Sequence, residues 1–380
     1  MTTTINNEHK KLNVPNLRFP EFSGEWEEER LSDIADLGKG TGISKDQLSD
    51  NGTSCILYGE LYTKYKSEII TDVISKTNID NTKLVRSKTN DVIIPCSGET
   101  AEDIATARCV LKNDILLGGD LNIIRLHSHY GSFMSYQLNG KRKYDIAKVA
   151  QGVSVVHLYG EHLKDVKTHN PSLDEQRKIA KFLSLLDERI ATQNKIIDKL
   201  QSLISGIAQM IVRRNKPNVR LSECVECSSS TLQESEVCEQ GAYPVYGANG
   251  IVGYLDNYNT EGEAVYIIKD GSGVGSVSYV TGKCSATGTL NTLQAKDGYS
   301  LQYLYYLLKV FNFELYKTGM AIPHIYFKDY GKAKVFCPSY TEQLRYARFL
   351  SAIDSKLSVE KNILTSLSSQ KQYLLRQMFI

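Results

Sequence analysis

Residues 171–187 read PSLDEQRKIAKFLSLLD, and residues 338–354 read PSYTEQLRYARFLSAID. The stretches align without a gap at an offset of 167: Pro171-Ser172 with Pro338-Ser339, Glu175-Gln176 with Glu342-Gln343, Ala180 with Ala347, Phe182-Leu183-Ser184 with Phe349-Leu350-Ser351, and Asp187 with Asp354. The register also runs upstream, through Lys167 and Lys334, Tyr159 and Tyr326, His157 and His324, Gly152 and Gly319. Chance does not hold one register across so many identities. The chain is a tandem duplication, and each copy passes from a strand-like end into a helix.

Pro171 and Pro338 mark the helix starts. Ser172 or Asp174, and Ser339 or Thr341, are candidate N-caps, with Glu175 and Glu342 in the first turn, where the helix dipole favours an acid. Apolar residues then recur three and four apart: Leu183, Leu186, Ile190, Ile197, Leu200, Ile204, Ile207 and Ile211 in the first helix, and Leu350, Ile353, Leu357, Leu364, Leu367, Leu374 and Met378 in the second. That spacing is a coiled-coil period. Gln193 and Glu360 interrupt the seam at equivalent positions, where a polar group fixes register at some cost in stability. One apolar face over about 40 residues, roughly 60 Å at 1.5 Å per residue, is longer than a small domain needs, so the two helices are expected to pair with each other.

The sequence therefore divides into a polar tail (1–15), a first domain (16–170), a first helix (171–215), a second domain (216–337) and a second helix (338–380). The domains read as strand-rich, with short β-branched or aromatic runs such as 91–95, 265–268 and 277–280 between Gly, Asn and Asp turns, and a helical piece over 301–313. Net charge is +2. Both domains are slightly acidic, with 19 basic against 22 acidic residues over 16–170 and 10 against 12 over 216–337, while the helix segments are basic. That balance excludes a self-sufficient, tight, non-specific DNA binder, which carries a clear basic surplus. Tyr is abundant, 23 against 10 Phe, which suits binding faces that are partly apolar and still offer a hydrogen bond. Eight scattered cysteines and a polar start point to a reducing cytoplasm, and no stretch has the apolar length of a membrane span.

The run Tyr243-Pro-Val-Tyr-Gly-Ala-Asn-Gly-Ile-Val-Gly-Tyr, followed by 265–277, resembles the target-recognition domain of type I restriction–modification specificity subunits. Gly319, then Pro323-His324-Ile325, then Pro338-Ser339 and Glu342-Gln343, is similar to that domain's end and the start of the family's helical spacer. Gly152 and His157 repeat the pattern without the Pro, and Pro15 to Phe22 with Trp26 and Leu31 resembles the family's N-termini. The likeness covers nearly the whole chain, strongest over 241–380. It implies an α+β fold in which two β-rich target-recognition domains alternate with two long helices, paired as an antiparallel coiled coil in a pseudo-two-fold repeat. It further implies a sequence-specific DNA-binding subunit without catalytic residues, each domain reading half of a split, asymmetric site. Two modification (methyltransferase) subunits and the restriction (nuclease–translocase) subunits would dock on it, and S-adenosylmethionine, ATP and Mg would belong to those partners.

Candidate DNA contacts follow from residue type. Lys141-Arg142-Lys143 beside a turn suit phosphate contact, as do Lys64, Lys66, Lys83, Arg86, Lys88 and Arg108 in the first domain and Lys269, Lys283 and Lys317 in the second. Asn249, Asn291 and Arg108 have the forked donors that base reading needs. His157 and His324 are read as shared structural hydrogen-bonding groups, since two domains with different targets would not read with one side chain. Gly271-Ser-Gly-Val-Gly-Ser lacks GxGxxG spacing, and Gly38-Lys39-Gly40-Thr41 lacks the P-loop adjacency. Asn170-Pro171-Ser172-Leu173 lacks the second Pro and the aromatic of a methyltransferase base-binding tetrapeptide. Cys224, Cys227, Cys238 and Cys284 contain one CxxC without a second, and free thiols are the expectation. Two other classes remain open at this point: a coiled-coil scaffold or adaptor that binds no DNA, and a DNA-modifying enzyme in its own right.

Overall fold

The computed structural model describes residues 12–80, 82–152, 155–319 and 322–380, so most of the expected polar tail lies outside the described residues. It divides into two compact units, residues 1–192 with 364–380, and residues 193–363.

In the first unit strands β1 (Ala35–Lys39), β2 (Ile69–Ile70), β3 (Asp91–Pro95), β4 (Arg108–Val110) and β5 (Leu121–Leu126) form a sheet in the order β1-β5-β3-β4-β2. All its pairs are antiparallel except β2 on β4, which is parallel. The apolar run of β3 is buried on both faces, as strand alternation requires. Val92 and Ile94 pack with Met134 and Leu138 of helix α1 (Gly131–Asn139), while Ile93 packs with Ile56, Leu61 and Leu117. A smaller sheet built on Thr53–Ile56 lies beside it. Antiparallel pairing of Glu27–Arg30 with Lys167–Asn170 ties the domain's two ends together.

Helix α2 (Leu173–Arg214) follows as one continuous helix. Ser172 caps it, its Oγ accepting from the Glu175 N–H at 3.4 Å, which decides between the two candidate caps.

The second domain repeats the frame. Strands β6 (Val225–Ser229), β7 (Glu263–Ile268), β8 (Val277–Thr281) and β9 (Leu290–Ala295) form the sheet β6-β9-β7-β8, all antiparallel, with helix α3 (Leu301–Leu308) packed on β7 and β8. The pair Val219–Arg220 with Lys334–Val335 ties its ends just as in the first copy. Helix α4 (Tyr340–Gln377) completes the described elements, and Ser339 reaches Glu342 Oε2 with both its N–H (3.2 Å) and its hydroxyl (2.7 Å).

The helices run antiparallel within each unit. In the first, Ile179, Ala180 and Leu183 of α2 share a cluster with Leu374, Leu375, Met378 and Phe379, and Lys371 meets Asp187 one turn further on. In the second, Gln193 Nε2 donates to the Glu360 carbonyl at 3.0 Å and to its carboxylate at 2.5 Å, and Ala208 and Ile211 line a small hollow with Leu350. All twelve seam residues Leu183, Leu186, Ile190, Ile197, Leu200, Ile204, Leu350, Ile353, Leu357, Leu364, Leu367 and Leu374 lie on buried or half-buried faces. No described helix is long and apolar enough to cross a membrane.

Candidate nucleic-acid interface

The first domain carries two clefts on either side of Tyr58, Gly59 and Thr63. One, about 770 Å³, is lined by Tyr62, Lys66, Ser97, Asp103 and Arg108 among others, and the second, about 1000 Å³, by Lys45, Lys64, Gln47 and Asp120. Of the expected basic contacts, Lys66 is exposed, its Nζ held by the Tyr62 carbonyl at 2.7 Å. Lys64 is spent on Glu60 and on the Ser75 hydroxyl, 2.7 Å from each. Lys83 and Lys88 are exposed, and half-buried Arg86 donates to the Asp114 carbonyl at 3.1 Å.

Arg108 corrects the expectation of a base reader. It is 9% exposed and donates to the carbonyls of Tyr65 (3.0 Å) and Ala107 (2.8 Å), so its fork holds backbone, and burial lowers its pKa. Arg142 is a second correction. Its guanidinium donates to the Ile380 carbonyl at 2.6 Å and pairs with Asp145 at 3.0 Å; of the other two residues of the basic triplet, Lys141 is exposed and Lys143 half-buried.

In the second domain Asn249 is exposed in the two-residue turn of a bulged hairpin, Tyr243–Gly247 with Gly250–Leu255, where Gly250 takes φ +100°. A two-stranded ribbon of this kind fits the major groove. Near it Lys283 sits 4.7 Å over the Tyr258 ring, which meets Tyr243 edge-on at 5.1 Å. Lys269 is half-buried, and Lys317 is paired with Glu314 at 2.5 Å. Asn291 is the third correction: it is 4% exposed, donates to the Tyr330 hydroxyl at 2.9 Å and accepts from Ser229, so both ends of its amide serve the core. Sequence reading singled out Lys283 but missed Tyr258 and Tyr243 beside it, and Tyr58. The excess of Tyr was the available signal.

Two features recur at the same place in both domains. Gly152 (φ +127°) and Gly319 (φ +87°) each open a loop closed by a backbone bridge, Gln151 to His157 and Thr318 to His324. A side chain on either glycine would strike a carbonyl, of Val155 or Ile322. His157 then stacks on Tyr159 and His324 on Tyr326, with Ser97 Oγ 3.3 Å from one ring and Asp270 Oδ1 2.5 Å from the other.

On the helices, Phe182 and its repeat equivalent Phe349 are 40% and 57% exposed, and Phe182 meets the Phe19 ring edge-on at 5.8 Å. Inside the first unit Lys371 Nζ lies 2.6 Å from Asp187 and also pairs with Glu68. Tyr136 donates to Asp187 at 2.7 Å and Ser67 does so at 3.1 Å. Burial raises the Glu68 pKa against the pull of Lys371, and burial beside Asp187 raises that of Tyr136. Cys224 lies 3.7 Å from Cys337 rather than against its CxxC partner, and no three metal-binding side chains cluster among the described residues.

The family described as type I restriction modification DNA specificity domain matches twice, over residues 23–202 and 215–369. The Escherichia coli EcoprrI specificity subunit is 27% identical over 133 residues, 35% of this chain and 32% of that one. A putative type I specificity subunit of Mycoplasma genitalium is 24% identical over 270 residues, 65% of this chain and 70% of that protein. Among solved structures, the type I restriction–modification S subunit from M. genitalium superposes with a TM-score of 0.68 at 20% identity, covering 97% of this chain and 99% of that one. Two tandem copies of the domain span most of the sequence, and the chain belongs to the type I restriction–modification DNA specificity family.

Proposed function

We propose that this chain is the DNA-reading subunit of a cytoplasmic type I restriction–modification complex, each domain contacting one half of a split, asymmetric site. One observation carries the reading: a single scaffold occurs twice, with the same strand order through four strands, the same end-to-end tie and the same Gly–His–Tyr loop, while the surfaces around it differ. A common frame with unlike surfaces suits two readers of different words. Base reading in the second domain falls to the 243–255 ribbon with Asn249, and Lys283 and Tyr258 beside it suit backbone and stacking contacts. In the first domain the clefts flanking Tyr58 are the counterpart, with Lys66 and Lys45 at their walls. Lys141 and Lys143 supply phosphate contacts, which position without specifying.

The helices fix the gap between half-sites and dock two methyltransferase subunits, with the restriction subunits joining that assembly. S-adenosylmethionine, ATP and Mg act in those partners. The test is methylation of a split-site library by the complex assembled with its modification subunits. A four-residue insertion within 193–210, roughly 6 Å or about two base pairs, should lengthen the preferred gap and leave both half-sequences intact. An unchanged gap removes the spacer role, and a changed half-sequence removes the division of labour.

A further inference from the structure

The two sheets match strand for strand except at one edge. In the first unit β2 lies parallel on β4, Ile69 against Cys109 and Ile70 against Val110, and the Glu68 carbonyl accepts the Cys109 N–H at 2.8 Å. The residues leading into β2 also reach the helix: Ser67 donates to Asp187, and Glu68 shares Lys371 with it. In the second unit β8 is the outermost strand, and among the described residues no strand pairs with its outer side. A cleft of about 260 Å³ runs beside it, from Tyr279 of β8 to Asp354 of α4, walled by Tyr305, Tyr306, Ser351 and Ser355.

Asp354 is the repeat equivalent of Asp187, and Tyr306 donates to it at 3.3 Å as Tyr136 donates to Asp187. The match of α1 with α3 is fixed independently. Gln176 and Gln343 accept the N–H of Tyr130 and Ser300, each six residues before its tyrosine, and each Gln amide donates to the carbonyl of the proline ahead of its helix. The frame that holds Ser67, Glu68 and a lysine ammonium in one half is therefore present in the other. There the position equivalent to Lys371 is Ile204, 2% exposed, and no cation pairs with Asp354 among the described residues.

We infer that the β8 edge and the Asp354 cleft form a docking site for an extended segment of a partner protein, added as a parallel fifth strand and setting a lysine or arginine on Asp354. An edge strand presents a row of backbone donors and acceptors that strand addition satisfies. A half-buried carboxylate beside it selects a cation. Asp354 and Glu263, which the Tyr279 hydroxyl reaches at 2.5 Å, repel a phosphate backbone, so the occupant is a protein segment rather than nucleic acid. The site shares no residue with the ribbon group assigned to DNA, and it does not depend on that assignment.

The test uses the full chain and two synthetic peptides. One is acetyl-KSKIITD-amide, the sequence of residues 66–72 with lysine in place of Glu68, and the other is the native KSEIITD. Hydrogen exchange over residues 277–281 should slow on titration of the lysine peptide to about 10 mM. The glutamate peptide, or the Asp354→Asn protein, which keeps the acceptor for Tyr306, should bind about fivefold more weakly or worse. Unchanged melting of Asp354→Asn certifies its fold. Absence of protection at 277–281, equal binding of the two peptides, or indifference to Asp354→Asn overturns the site. Protection that grows with protein concentration alone overturns the assigned occupant in favour of a second copy of this chain.

Discussion

Replacing Lys371 by Met removes the one ammonium between Glu68 and Asp187 while keeping most of the side chain's bulk. The lysine side chain is 14% exposed and both acids are 9% exposed, so little water is at hand to replace it. Breaking a buried pair by deleting one partner costs about 3–5 kcal/mol, because the remaining charge is uncompensated. Here two carboxylates remain, with only the more distant Arg108 guanidinium still acting on both among the described residues. For a unit of about 200 residues, that loss lowers Tm by roughly 6–20 °C. The deficit should shrink at pH 5, where the lysine-free site relieves itself by taking up a proton on Glu68, whose pKa burial already raises. The triple change Lys371→Met, Glu68→Gln and Asp187→Asn removes the lysine and both acids, keeps an acceptor for Tyr136, and should recover most of the loss, the remainder being the pull of both acids on buried Arg108. Urea unfolding followed at pH 7 and pH 5 measures each variant. A single-variant loss under about 1 kcal/mol at pH 7, or a triple variant no better than the single one, refutes the ionic account.

Three further outcomes are expected. Arg108→Ala should destabilise the first unit by about 2–3 kcal/mol, through two charge-assisted bonds to backbone carbonyls, and leave the methylated base sequence unchanged; a shift at one base pair would restore it as a reader. Glu68 has a raised folded pKa, so its stabilising contribution is complete below its ordinary value of 4.5 and is lost as pH rises through the raised value. Stability of Glu68→Gln relative to the parent should therefore climb with pH across that window, and a flat difference in paired unfolding curves contradicts the shift. Gly319→Ala, forced to φ +87° with its Cβ against the Ile322 carbonyl, should cost about 1–3 kcal/mol in thermal melts, and Gly152→Ala a similar amount.

The helices and the duplication were legible because they rest on local pattern: a three–four apolar spacing, a Pro-Ser start with Glu and Gln in the first turn, and one offset. Even there the spacing identified Gln176 and Gln343 only as repeated letters, whereas each side chain joins its helix to the domain before it by accepting a distant N–H. Glu68 and Lys371 are 303 residues apart and meet only through the fold, so no window of sequence displays them. Arg108 and Asn291 misled for the opposite reason. Their forked donors suit a base edge and a backbone carbonyl or buried hydroxyl equally well, and burial, which decides between them, depends on neighbours far along the chain. Strand β2, at the edge of the first sheet, is two residues long, too short for alternation to register.

An apolar seam of Leu and Ile resists separation of two helices but scarcely resists sliding, since a shift by one heptad again sets apolar against apolar. Gln193 and Glu360 do resist it, because a shifted partner leaves a buried amide and a half-buried carboxylate without each other. Register and stability thus rest on different residues, and the two are separable by experiment. Gln193→Leu with Glu360→Leu should leave unfolding free energy unchanged or raise it by about 1 kcal/mol, since a buried polar pair often gives way to well-packed apolar groups without loss. The same change should broaden the distance distribution between spin labels at Lys195→Cys and Lys361→Cys, placed in a Cys238→Ser background because Cys238 is exposed. A distribution as narrow as the parent's, at equal stability, means the apolar side chains alone interlock tightly enough to hold register, and the polar pair is dispensable.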